Sequence, residues 1–126
     1  MNMIEEKLEV NSRFFKVNMV QLENAVVAFM FEERMRMGTV AIAMPGTGEV
    51  AVGRSSVLVG GKYLMTTRAL AERLAAKTGK IALVSLFTEL DETEALRMYA
   101  KLLDKVPAVS QSGTRSPIDD LVRQNV

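Results

Sequence analysis

Apolar and polar residues alternate along the first part of the chain in the way that is typical of β-strands. The alternation predicts two strands, Met3–Val10 and Phe14–Leu22, separated by the turn residues Asn11-Ser12-Arg13. Glu6 interrupts the apolar row of the first strand. A charged residue in an otherwise inward row is typical of a strand at the edge of a sheet, so we predict that Met3–Val10 is an edge strand.

Further strands are predicted where short apolar runs are bounded by glycine, proline or charged residues: Ala25–Phe31, Thr39–Met44, Val57–Val59 and Ile81–Phe87. The two longest runs and Thr39–Met44 are apolar on both faces, a pattern typical of strands covered on both sides. Glu32–Gly38 is predicted to be a charged hairpin loop. Val50–Val52 extends a loop or forms a short extra strand before Val57.

Two segments have the spacing of amphipathic helices. Tyr63, Thr67, Leu70 and Leu74 share one helix face, and Gly79 is predicted to cap the end of this helix. The second helix is predicted to begin after Asp91, whose side chain suits an N-cap, and to stop before Pro107.

The order of these elements predicts an α+β fold. We expect an antiparallel sheet of five to six strands, a meander followed by β-α-β-α, with two helices packed on one face. Residues 1–106 form the predicted domain. Residues 107–126 have the composition of a linker. A short helix at Ile118–Gln124 is the alternative prediction for part of this segment.

Two helices cover one face of such a sheet and leave the apolar residues of the other face exposed. A patch of that size is more than a monomer usually tolerates, so we expect a second copy, or a related chain, to cover it. The alternative is that the C-terminal segment folds back over it. The predicted partner-binding residues are Val27, Phe29, Phe31, Met35, Met37, Val40, Ile42 and Met44.

Composition excludes several kinds of chemistry. The chain has no cysteine and no histidine, which excludes thiol catalysis and the usual zinc sites. Sixteen basic and fifteen acidic residues give a net charge of +1 without a basic block, so nucleic acid and acidic membranes are not expected partners. The absence of cysteine suits a reducing compartment, and we expect a cytoplasmic location.

No motif predicts an enzyme or a cofactor. Gly60-Gly61-Lys62 lacks the first glycine and the hydroxyl residue of a phosphate loop, and Gly46-Thr47-Gly48 lacks the third glycine of a dinucleotide fingerprint. The acidic residues from Glu89 to Glu94 suit the start of a helix better than a metal site. Ser55-Ser56 has no histidine to activate it. We therefore expect no catalytic residues, no cofactor and no metal.

Several of these segments resemble the proteasome assembly chaperone 3 family. Phe31–Val40, with its Met-Gly-Thr, is similar to a strand–loop–strand of that family, and Ser56–Gly60 is similar to its next strand. The run from Leu70 through Gly79 to Leu86 looks like the family's helix, glycine stop and strand, and Glu94–Leu103 corresponds to its last helix. The resemblance covers about Leu8 to Val106 and implies an archaeal-type or distant member of the family.

The resemblance implies a non-enzymatic chaperone that acts as a homodimer or heterodimer and binds α-subunits of the 20S proteasome. The chain ends in Gln124-Asn125-Val126 and lacks the hydrophobic–tyrosine–any ending of proteasome activators, so contact is expected through the folded surface. Two alternatives stay open: a roadblock- or longin-like dimeric scaffold, and a small ligand-binding or hydrolytic domain with a deep polar pocket near Gly46–Gly61.

Overall fold

Strands and helices follow each other in the predicted order in the computed structural model, which describes residues 2–46 and 54–106. The elements are β1 (Asn2–Val10), β2 (Arg13–Gln21), β3 (Ala25–Glu32), β4 (Thr39–Met44), β5 (Arg54–Val59), α1 (Leu64–Thr78), β6 (Ile81–Leu86) and α2 (Glu92–Lys105). The predictions for Val50–Val52 and for the tail 107–126 lie outside the described residues.

The strands form one six-stranded sheet in the order β1-β2-β3-β6-β4-β5. The predicted α+β class is confirmed, but the prediction of an antiparallel sheet is wrong for one pairing, because β3 and β6 run parallel. Because β4 is antiparallel to both β5 and β6, these two strands run in the same direction. Helix α1, which connects them, therefore carries the chain back across the sheet before β6 begins. This crossover inserts β6 beside β3 and makes the sheet mixed.

The insertion of β6 also changes the connection between β3 and β4. Glu32–Gly38 was expected to be a hairpin loop, and this prediction is wrong because β3 and β4 are not neighbours. Glu32 ends β3, and residues 33–38 pass over the end of β6 to reach β4. The pairing of β6 with β3 joins segments that are distant in the sequence, so the apolar pattern within each segment could not predict it.

The caps predicted at Asp91 and Gly79 are confirmed, while Tyr63, predicted to lie on the face of the first helix, comes just before it. Asp91 accepts a hydrogen bond from the Glu94 N–H at 2.8 Å, as an N-cap does. Gly79 has a φ of 68° and closes α1 with a bond from its N–H to the Ala75 carbonyl. Helix α1 begins after Tyr63, whose own backbone is left-handed at φ 58°.

The core lies between the two helices and one face of the sheet. Helix α1 lies over β4, β5 and β6, and α2 lies over β1 and β2. The central contact under α2 is an edge-to-face pair of Phe15 and Tyr99, with ring centroids 6.1 Å apart at 82°. Helix α1 contributes a buried stripe of Leu70, Ala71, Leu74 and Ala75.

Strand β1 forms an edge of the sheet, which confirms the prediction from Glu6. Lys105 of α2 reaches this strand, with its Nζ 3.9 Å from the Glu6 carboxylate and 2.9 Å from the Lys7 carbonyl. The inward acid is thus compensated by the helix that covers it. No helix in the described ranges is long and apolar enough to span a membrane.

Candidate protein-binding face

The sheet face opposite the helices, here called the open face, carries a cluster of large apolar side chains. Alternation along β2, β3, β6 and β4 points every second residue away from the core, and neither helix of residues 2–46 and 54–106 lies over them. We call the middle of this face the apolar centre: Val20, Val27, Phe29, Ile42, Met44, Ile81 and Leu83.

The register of the strands places these side chains in direct contact range. Val20 pairs with Val27, Val27 with Leu83, and Leu83 with Ile42, so one apolar row crosses four neighbouring strands. Adjacent strands lie about 4.8 Å apart, which makes the row roughly 14 Å long. All four side chains remain half-buried, and Leu83 is at the middle.

Polar residues border most of the apolar centre. On one side, β1 presents Glu5, Lys7 and Glu9, together with the exposed Met3 beside Val20, and on the other β5 presents Arg54 and Ser56. An apolar middle within a polar rim is the usual composition of a surface that binds protein.

Six of the eight residues predicted to bind a partner lie on the open face, and the other two lie in the 33–38 loop. Val27, Phe29 and Ile42 are half-buried, and Met44 is exposed. Phe31 and Val40 point to the same face but are already buried, at 3% and 7% exposure. Met35 and Met37 are exposed on the loop.

The 33–38 loop folds back over the end of the open face. The Lys16 Nζ donates to the Glu33 carbonyl at 3.0 Å, and the Arg36 guanidinium lies 4.9 Å from the centre of the Phe87 ring. Lys16 pairs with Phe31 across the strands, and Phe87 continues β6 on its other side. The loop therefore covers Phe31 and reaches the border of the apolar centre, where the Asn18 amide, the cross-strand neighbour of Phe29, donates to the Met35 sulfur at 4.0 Å.

Glu32 is a second feature of this end of the sheet, and the sequence did not reveal it. Its side chain is only 9% exposed and accepts hydrogen bonds from the Arg13 guanidinium at 2.5 Å, the Glu89 N–H at 2.8 Å and the Thr88 hydroxyl. Burial raises the pKa of Glu32, but the three hydrogen bonds and the Arg13 charge outweigh it and hold the pKa below its ordinary value. Glu32 thus ties β2 and β3 to the start of the α2 region.

Replacing Glu32 by glutamine is expected to lower the free energy of unfolding near neutral pH by about 2 kcal/mol. The pKa of Glu32 is lowered on folding, so its contribution is complete above the unfolded pKa and is lost as the pH falls through the folded value. Urea unfolding of wild type and E32Q across the acid range should show a difference that narrows below about pH 4.5. A difference that stays constant with pH contradicts this account. Glu23→Gln, at an exposed turn, is the control and should change little.

The glycine-rich segment before α1 forms a turn and not a phosphate site. Gly60 has a φ of 131°, and the Thr39 hydroxyl donates to the Lys62 carbonyl, which fixes the turn against β4. A phosphate would have to bind the N–H groups that begin α1, yet the Thr66 N–H already donates to the Glu92 carboxylate at 3.1 Å.

Two of the acidic residues at the start of α2 form contacts within the helix itself. Asp91 caps the helix, and Glu94 forms an ion pair with Arg97 at 3.2 Å. Within the described ranges, no three acidic side chains converge closely enough to hold a metal ion.

Comparison with known proteins gives a likeness of fold. No family model matches the sequence, and no curated protein matches it. Among solved structures, the chain is similar to one in the crystal structure of a novel chaperone complex for yeast 20S proteasome assembly. The TM-score is 0.61 at 11% sequence identity, over 82% of this chain and 90% of that chain. The two chains share a fold. That fold agrees with the resemblance drawn from the sequence segments.

Proposed function

We propose that the chain is a non-enzymatic assembly chaperone that dimerises through its open face and binds α-subunits of the 20S proteasome. The observation that carries this proposal is the uncovered apolar centre. Four strands about 4.8 Å apart and about 20 Å long give the whole four-strand face, of which the apolar centre is the middle, roughly 400 Å² in projection. The largest apolar patches on soluble monomers are about 300–600 Å² and are often functional.

A second copy of the chain suits the shape and chemistry of this face. Two twisted sheets can pack face to face at about 10 Å and bury both apolar centres in one layer. The row from Val20 to Ile42 contains no charged side chain that such packing would leave unpaired. The polar residues of β1 and β5 then form the rim.

A non-enzymatic role agrees with the use of the hydroxyl groups. The Ser55 hydroxyl lies between Glu72, to which it donates, and the Arg68 guanidinium, which donates to it at 3.1 Å. The Thr88 hydroxyl is bound to Glu32. The chain has no histidine or cysteine beside these bonds, which supports a structural role for both hydroxyl groups.

The fold likeness supports proteasome assembly as the process, since the similar chain belongs to a chaperone complex for 20S assembly. Helices on both sheet faces would favour the rival hypothesis of a roadblock- or longin-like scaffold. In the described residues, α1 and α2 lie on the same face.

Reconstitution with purified α-subunits tests this function. The full-length chain is mixed with each α-subunit of its source organism, one at a time, and complexes are separated by size-exclusion chromatography. We expect at least one α-subunit to co-elute with the dimer at concentrations of about 10 μM. If no α-subunit does so, alone or in a mixture of all of them, the proposed function is wrong.

A further inference from the structure

A second apolar surface lies at one end of the molecule, away from the open face. The turns that begin α1 and α2 enclose a cleft of about 620 Å³. Its apolar wall is formed by Tyr63, Leu64, Met65 and Leu90. Met65 is 77% exposed, more than any other large apolar side chain in the described ranges. We call this region the end cleft.

The walls of the end cleft are fixed by hydrogen bonds between the two turns. The Tyr63 hydroxyl donates to the Leu90 carbonyl, and Thr66 binds Glu92 twice, through its N–H at 3.1 Å and its hydroxyl at 3.2 Å. The cleft therefore exists before any ligand arrives, which lowers the entropic cost of binding.

The rim of the end cleft is acidic. Glu89, Asp91 and Glu92 border it, and Lys62 is the one cation among the described residues that line it. The Lys62 Nζ lies 5.6 Å from the centre of the Tyr63 ring. Burial, together with the charges of these acids and Glu32, raises the pKa of the Tyr63 phenol, which agrees with a negative potential in the cleft. Asp91 and Glu92 each use one carboxylate oxygen to accept a capping hydrogen bond.

We propose that the end cleft binds a segment of a client protein in which an apolar side chain is flanked by lysine or arginine. Leu64 and Met65 provide an adaptable apolar contact, since the thioether side chain of methionine fits varied shapes. The carboxylates select the flanking cations and exclude acidic segments. This proposal rests on the proposed function only for the identity of the client, an α-subunit, and assigns it a site separate from the dimer face.

Fluorescence anisotropy with short labelled peptides tests the chemistry of the end cleft. The probe contains leucine and lysine, its acidic counterpart has every lysine replaced by glutamate, and a third peptide has every leucine replaced by serine. We expect the full-length chain to bind the first peptide at least tenfold more tightly than either of the others. The preference over the acidic peptide should shrink as salt rises from about 50 mM to about 500 mM. Equal binding of all three peptides, or no binding of the first, overturns the proposal.

Variants locate the site. Met65→Ser and Glu89→Lys should each weaken binding of the leucine–lysine peptide about tenfold, while light scattering shows an unchanged mass. Two controls lie outside the cleft: Leu96→Ser on α2, which also replaces an exposed apolar side chain by serine, and Glu23→Lys at the β2–β3 turn, which makes the same charge reversal. Both should bind normally. If the controls weaken binding as much as the cleft variants do, the assignment is wrong.

The same variants separate this proposal from the proposed function. If an α-subunit binds the wild type but is unaffected by M65S and E89K, the end cleft is not its site, and the chaperone function stands. If no α-subunit binds, while the peptide binds in the cleft with the expected preference, the cleft is a recognition site for a different client. Loss of peptide binding in an open-face variant, with the cleft variants unaffected, overturns the end-cleft proposal alone.

Discussion

Replacing Gly38 by alanine is expected to lower the free energy of unfolding by more than about 3 kcal/mol. A Cβ atom at this position would lie 2.0 Å from the Leu86 carbonyl oxygen and 2.7 Å from its carbon. Both are backbone atoms of the central strand β6. The Gly38 N–H also donates to the Ser85 hydroxyl at 3.0 Å, so the 33–38 loop cannot move away without losing that bond.

Urea unfolding measures this effect, and Gly61→Ala provides the control. No atom lies within 4 Å of a Cβ built on Gly61, so G61A should change the free energy of unfolding by less than about 0.5 kcal/mol. Equal stabilities of G38A and G61A would show that the loop does not cross β6 as closely as described.

Replacing Leu83 by lysine is expected to convert the proposed dimer into a monomer and to raise its dissociation constant more than about 100-fold. Leu83 lies between Val27 and Ile42 at the middle of the apolar centre, so the dimer would have to bury the new charges without partners. The monomer should remain folded, because Leu83 is only half-buried there.

Sedimentation velocity and circular dichroism together measure this result. Leu96→Lys makes a similar change at an exposed site on α2, on the other side of the molecule, and should leave the mass unchanged. A folded L83K variant with the mass of the wild type would exclude the open face as the dimer interface.

Local patterns predicted the elements of the fold because each pattern reports the chemistry of neighbouring residues. Asp91 and Gly79 mark helix ends through bonds to groups three or four residues away. Glu6 identified an edge strand because an inward acid needs an exposed or compensated position. Such signals are contained in a single segment of chain.

Non-local arrangement could not be predicted in the same way. Strand β6 pairs with β3, whose residues are more than fifty positions earlier, and nothing in either strand specifies this partner or its parallel direction. The charged segment predicted that Glu32 lies in a loop. Its buried role could not be predicted, because its three hydrogen-bond donors come from β2 and from the residues after β6. The role of Gly38 also depends on this crossing.

The candidate site was predicted in outline. Apolar residues on both faces of β3, β4 and β6 indicated an uncovered face, and the structure places Val27, Phe29 and Ile42 on it. Sequence could not show that Phe31 is covered by the 33–38 loop, because the loop conformation depends on β6. It also gave no sign of the end cleft, whose two turns meet only after folding.

Sedimentation equilibrium of the full-length chain tests the central claim most directly, because dimerisation through the open face underlies the proposed function. Over about 1–100 μM protein, we predict a mass of twice 13.9 kDa, with dissociation only toward the lowest concentrations. A mass of 13.9 kDa throughout that range would contradict the account, because the apolar centre would then be stable without a second copy.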